Sequence, residues 1–119
     1  MEKKKIIVIE DQALLNNMIK NTLSNDYDVV TSCSCAKDML SLYEKYNPDL
    51  ILTDVVTANG ANGIKYAKDI KEKYGNKVKI LAITGIPEIT FLNMAKEYNL
   101  DGLIYKDINS ETLLFSIQQ

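Results

Sequence analysis

Histidine does not occur anywhere in the 119 residues. Its absence excludes histidine general bases, serine–histidine–acid triads and most zinc centres. Arginine is missing too, since all 14 basic residues are lysine. Bidentate guanidinium recognition of phosphate or guanine is therefore excluded. With a formal net charge of −2, the chain has no electrostatic footprint for a nucleic-acid backbone, and none is expected as a direct partner. The Lys3-Lys4-Lys5 run is read as a solubilising flank of the first strand. Cysteine is limited to Cys33 and Cys35. Two thiols one residue apart cannot build a tetrahedral metal site, so Cys33 is expected buried at a strand end and Cys35 in the turn after it. Long hydrophobic runs are also lacking. The lysine-rich start is followed by only four apolar residues before Glu10, which is neither a signal peptide nor a span, so the expected location is cytoplasmic, without membrane contact. The five glycines form neither a G-x-x-x-x-G-K-S/T loop nor a G-x-G-x-x-G turn, which excludes the common nucleotide-binding loops.

What is present is a regular alternation. Apolar residues make up 46% of the chain, enough for the core of one domain over residues 1–119. Short apolar runs at 5–9, 27–33, 49–53, 78–83 and 102–105 read as strands. Amphipathic stretches at 12–23, 34–46, 64–74, from about 87 to 98, and from about 110 onward read as helices. In the first helix Leu14, Leu15, Met18, Ile19 and Leu23 are the expected apolar face. Asn47-Pro48 and Gly75-Asn76 mark helix ends. Nearly continuous apolar strands separated by helices predict an α/β, doubly wound, five-stranded parallel sheet with helices on both faces, a flavodoxin-like arrangement. The strand order 2-1-3-4-5 is the one that gathers the polar strand ends into a single crevice.

Those strand ends carry the chemistry. Glu10 and Asp11 follow the first strand, Asp54 the third, Thr84 the fourth and Lys106 the fifth. Singly, Asp11 reads equally as a helix cap, Thr84 as a turn residue and Lys106 as a solvated lysine. Jointly they are a divalent-metal and phosphoryl site. Clustered carboxylates repel one another unless a cation neutralises them, and Mg²⁺ takes oxygen ligands of this kind. A carboxylate can attack phosphorus to give an acyl phosphate. A lysine and a threonine hydroxyl then neutralise and hydrogen-bond the phosphoryl oxygens.

Four segments extend this into a resemblance: Val8-Ile9-Glu10-Asp11-Gln12, Pro48-Asp49-Leu50-Ile51-Leu52-Thr53-Asp54, Leu81-Ala82-Ile83-Thr84-Gly85, and Asp101-Gly102-Leu103-Ile104-Tyr105-Lys106-Asp107. In this order and spacing the chain resembles a receiver domain of a bacterial two-component response regulator, from Lys4 to about Gln118. The resemblance implies that Glu10, Asp11, Asp54 and the Val56 carbonyl hold Mg²⁺. It implies that Asp54 takes a phosphoryl group from the phosphohistidine of a sensor histidine kinase or histidine phosphotransfer protein, and that Thr84 and Lys106 bind the phosphate. Such a domain catalyses its own phosphorylation and slow dephosphorylation, with no turnover of an external substrate. It can pair with a second copy through the face formed by helix four, strand five and helix five. The alternative is a degenerate receiver that binds proteins without phosphorylation. Four positions depart from the usual pattern. Thr57-Ala58 replaces Met-Pro after the acceptor, and Gly63 falls nine rather than eight residues past Asp54. Leu103 stands where an aromatic switch residue is usual, Lys106-Asp107 replaces Lys-Pro, and Ser34-Cys35 replaces Asn-Gly.

Overall fold

The computed structural model describes residues 3–85, 89–105 and 117. Five strands, β1 (Lys5–Ile9), β2 (Asp28–Cys33), β3 (Leu50–Asp54), β4 (Lys79–Thr84) and β5 (Gly102–Tyr105), alternate with four helices, α1 (Ala13–Leu23), α2 (Met39–Tyr46), α3 (Gly63–Tyr74) and α4 (Ile89–Glu97). All pairings are parallel and the sheet order is β2-β1-β3-β4-β5, as the sequence predicts. Strand alternation sends successive side chains to opposite faces. Ile6, Val8, Leu50, Leu52, Leu81 and Ile83 pack on one face with Ile19 and Leu23 of α1 and with the helical residue Ile117. Ile7, Ile9, Ile51 and Ile80 pack on the other with Met39 and Tyr43 of α2 and Ala67 and Ile70 of α3. Helices thus cover both faces. The fifth predicted helix lies outside the described residues except at Ile117. No helix among the described residues is long and apolar enough to cross a membrane.

Three sequence expectations shift. Leu14 is 88% exposed, whereas Asn16 is buried. At ~100° per residue these two positions lie ~200° apart around the helix, so when Asn16 turns inward Leu14 must face solvent. The stretch predicted as one helix over 34–46 opens with a 3-10 turn at Ala36–Asp38 before α2. Cys33 is partly rather than fully buried. The predicted helix stops hold: Asn47 is left-handed at φ 49°, directly before Pro48, and its N–H closes on the Tyr43 carbonyl at 2.8 Å. α3 is capped by Asn62, whose Oδ1 accepts from the N–H groups of Ile64 and Lys65 at 2.9 and 3.3 Å.

At the edge of the sheet where the strands begin, Lys71 of α3 is almost wholly buried and lies 2.7 Å from Asp101 Oδ2. Its Nζ also donates to the Val78 carbonyl at 2.7 Å, while Asp101 Oδ2 accepts from the Ile80 N–H at 2.7 Å. This pair ties α3 to the turns that enter β4 and β5. On the surface, Glu44 of α2 accepts from Tyr74 Oη at 2.6 Å and from Lys73 Nζ at 3.2 Å. Those bonds, the Tyr74 hydroxyl foremost, hold the Glu44 carboxyl below its usual range.

Candidate functional site

Parallel register gathers the site. Ile9 pairs with Thr53, so the next residues, Glu10 and Asp54, leave their strands at one level. Asp54 pairs with Ile83, which places Thr84 one step further along β4. Glu10, Asp54 and Thr84 are 1%, 3% and 2% exposed, while Asp11 faces solvent. Glu10, Asp11 and Asp54 each offer a carboxylate oxygen, and these oxygens lie within 4.8 Å of one another. Two such acids taken out of water beside a third are unfavourable without a cation. The oxygen-only donor set fits a hard divalent ion. Lys106 lies outside the described residues, one position after the end of β5.

Local bonds fix the acids. The Glu10 N–H donates to the Cys33 carbonyl at 2.9 Å, continuing the β1–β2 pairing. Glu10 Oε2 accepts from the Gln12 N–H at 3.0 Å, a bond of the kind a capping side chain makes at a helix N-terminus, while Gln12 itself makes no side-chain cap. Asp11 therefore does not serve as the cap of α1. On β3, Thr53 Oγ1 donates to the Asp54 carbonyl at 2.9 Å.

The loop after Asp54 turns back on itself. Val56 bridges Asn62 in antiparallel fashion, through Gly63 N–H to Val55 carbonyl at 2.7 Å and Thr57 N–H to Ala61 carbonyl at 2.9 Å. Neither bond uses the Val56 carbonyl. In this type of antiparallel pair the bridging residue's own polar groups point away from its partner, so the Val56 carbonyl is turned away from Asn62. The extra residue of the loop is taken up by a 3-10 turn in which Asn59 and Gly60 both have positive φ, 61° and 73°. Gly63 thereby keeps its place against the acceptor strand. A Cβ there would fall on the Asp54 carbonyl oxygen and 2.6 Å from Thr53 Oγ1.

Sequence reasoning missed how this loop is anchored. Thr57 is 2% exposed, and its Oγ1 accepts from the Ala36 N–H at 2.9 Å and donates to the Ala61 carbonyl at 2.7 Å. The Ala58 N–H donates to the Ser34 carbonyl at 2.9 Å, and Cys35 Sγ donates to the Ala58 carbonyl at 3.3 Å. The departures Thr57-Ala58 and Ser34-Cys35 are thus two halves of one contact, with a hydroxyl and a thiol each filling a donor role. Cys33 Sγ donates to the Cys35 carbonyl at 3.4 Å. Burial pushes the Cys33 thiol up, which keeps it protonated and able to donate. Leu103 is partly buried against Val55, Ile64 and Ala82.

A response regulator receiver domain family model matches residues 6–118. The chain belongs to that family, and its clustered acids are consistent with the phosphoaccepting and metal-binding site of receivers. Among similar proteins, the transcriptional regulatory protein DegU of Brevibacillus brevis is 25% identical over 98% of this chain and 49% of its own length. The chain thus spans about half of that relative. The chemotaxis protein CheY of Halobacterium salinarum is 22% identical, over 96% of this chain and 93% of its own. The signal receiver domain of the response regulator NarL from Mycobacterium tuberculosis superposes with a TM-score of 0.90 at 22% identity, covering 99% of this chain and 95% of that one. That likeness carries the fold.

Proposed function

We propose that Asp54 is the phosphoacceptor of a two-component relay, that Glu10, Asp11, Asp54 and the Val56 carbonyl hold Mg²⁺, and that Thr84 and Lys106 bind the phosphoryl oxygens. The observation that carries this reading is the convergence of Glu10, Asp11 and Asp54 carboxylate oxygens within 4.8 Å on a receiver fold. Asp54 attacks phosphorus through a carboxylate oxygen, forming an acyl phosphate as the bond from phosphorus to the donor's imidazole nitrogen breaks. The donor is the phosphohistidine of a sensor kinase or a histidine phosphotransfer protein, since these 119 residues hold no histidine of their own. Mg²⁺ neutralises charge on the transferring group. The Thr53 hydroxyl holds the Asp54 carbonyl, Gly63 lets the loop close against it, and the Glu10–Gln12 bond fixes the first acid, which favours a preorganised site. The chain modifies itself and turns over no external substrate. A second copy docking on the face of α4, β5 and the fifth helix expected from the sequence is the associated output contact. With Leu103 in place of an aromatic, that face responds by repacking around Val55 and Ala82.

The test is metal dependence. Asp11→Ala should weaken Mg²⁺ binding at least ~10-fold and slow phosphoryl uptake from acetyl phosphate. Relief of carboxylate repulsion should leave its metal-free stability equal to wild type or higher by about 1 kcal/mol. Amide-shift titration and urea unfolding in EDTA measure both, and an unchanged Mg²⁺ affinity refutes the assignment.

The phosphorylated form should last minutes to hours. Hydrolysis needs a water held in line with phosphorus. Val56 is 50% exposed beside the acids and offers that water no side-chain hydrogen bond; Ile86, the matching position past Thr84, lies outside the described residues. Without a group to orient the water, much of the positional contribution to hydrolysis is lost. Val56→Asn should shorten the half-life several-fold in excess Mg²⁺, whereas decay of the wild type within seconds would contradict the account.

A further inference from the structure

A polar side chain stands where the packing of α1 calls for an apolar one. Asn16 holds the inward position of the first turn and is 9% exposed. Its Nδ2 donates to the Glu10 carbonyl at 3.0 Å. Its Oδ1 is buried and has no hydrogen-bond partner among the described residues. Buried acceptors without a donor are disfavoured and uncommon, so this one calls for a hydrogen that the folded chain does not supply. The oxygen and nitrogen of one amide share a carbon, so Oδ1 lies near the main chain of Glu10, a residue whose carboxylate belongs to the acidic triad. A small hard cation keeps several of its waters when it binds a few carboxylates, and such water is a strong donor.

We propose that Asn16 is a positioning residue for the cation-bound state. Nδ2 fixes the backbone of Glu10, and Oδ1 receives a hydrogen from the water that enters with the ion. Glu10 is then held from both sides, by Gln12 N–H on its carboxylate and by Asn16 on its carbonyl. Outer groups that orient metal ligands contribute ~10–100-fold in affinity. The inference rests on reading Glu10, Asp11 and Asp54 as a divalent cation site.

The experiment is a MgCl₂ titration of the folded domain followed by amide chemical shifts, comparing wild type, Asn16→Leu and Asp11→Ala. Asn16→Leu keeps the branched shape with somewhat larger methyl groups and removes both amide functions. Its Kd for Mg²⁺ should rise ~10-fold or more while the unliganded spectrum remains that of a folded domain. Should Asn16→Leu fail to fold, Asn16→Ala is titrated with the same expectation. A Kd within about twofold of wild type for the folded Asn16 variant, alongside lost binding in Asp11→Ala, overturns the role of Asn16 alone. Wild-type affinity in Asp11→Ala overturns the cation site itself, and this inference with it.

Discussion

Gly63→Ala should destabilise the domain by about 3 kcal/mol or more, far beyond the cost of an ordinary helix-start substitution. The added methyl group would overlap the Asp54 carbonyl oxygen and press on Thr53 Oγ1 at 2.6 Å. Both belong to the buried end of β3, and a backbone carbonyl in a parallel ladder cannot move aside as a flexible side chain can. Relief requires α3 to retreat, which stretches the 2.7 Å bond from the Gly63 N–H to the Val55 carbonyl. The damage falls on the acceptor itself, so phosphoryl uptake should fall with stability. Urea unfolding measures the first effect, and a loss under 1 kcal/mol would show that the strand and helix are not in this close contact.

Breaking the Lys71–Asp101 pair should be nearly as costly. Lys71→Ala removes a side chain only 5% exposed and leaves Asp101, 31% exposed, without its counter-charge. Removing one partner of a buried pair costs ~3–5 kcal/mol. The partial exposure of Asp101 and its remaining bond to the Ile80 N–H reduce this to roughly 2–3 kcal/mol. The Val78 carbonyl also loses its 2.7 Å donor. Lys71→Met, which keeps the apolar stem, should lose less, and the difference separates packing from charge. Thermal unfolding of the two variants tests this. Equal loss in both would assign the effect to the charge alone, and no loss in either would remove the pair from the account.

The elements visible in the sequence are those that repeat. Strands β1, β3 and β4 are buried on both faces, so Ile6 to Ile9, Leu50 to Leu52 and Ile80 to Ile83 read as unbroken apolar runs, and their polar ends mark the crevice. The strand order is partly legible through chemistry: it is not forced by the sequence, but the doubly wound order gathers Glu10, Asp54 and Thr84 at one edge. The contacts that escape reading are single long-range hydrogen bonds. Thr57 bonding to Ala36, and Lys71 reaching Val78 and Asp101, leave no periodic trace, since any threonine or lysine at a helix or loop edge looks solvated. Leu14 misleads because an apolar residue next to Leu15 fits the helical period almost as well as Leu15 does. The signal that could have corrected it is Asn16, whose inward placement becomes legible once Ile19 and Leu23 define the core stripe. The longer loop before Gly63 is visible as a count, but its accommodation depends on Asn59 entering the left-handed region beside Gly60, a local choice the count does not reveal.

The most direct measurement of the central claim is the intact mass of the wild-type domain and of Asp54→Asn after incubation with acetyl phosphate and Mg²⁺, followed by peptide mapping. The wild type should gain one phosphoryl group, located at Asp54 and absent when EDTA replaces Mg²⁺, and Asp54→Asn should gain none. A phosphoryl group retained in Asp54→Asn, or mapped to another residue of the wild type, would contradict the assignment of Asp54 as the acceptor.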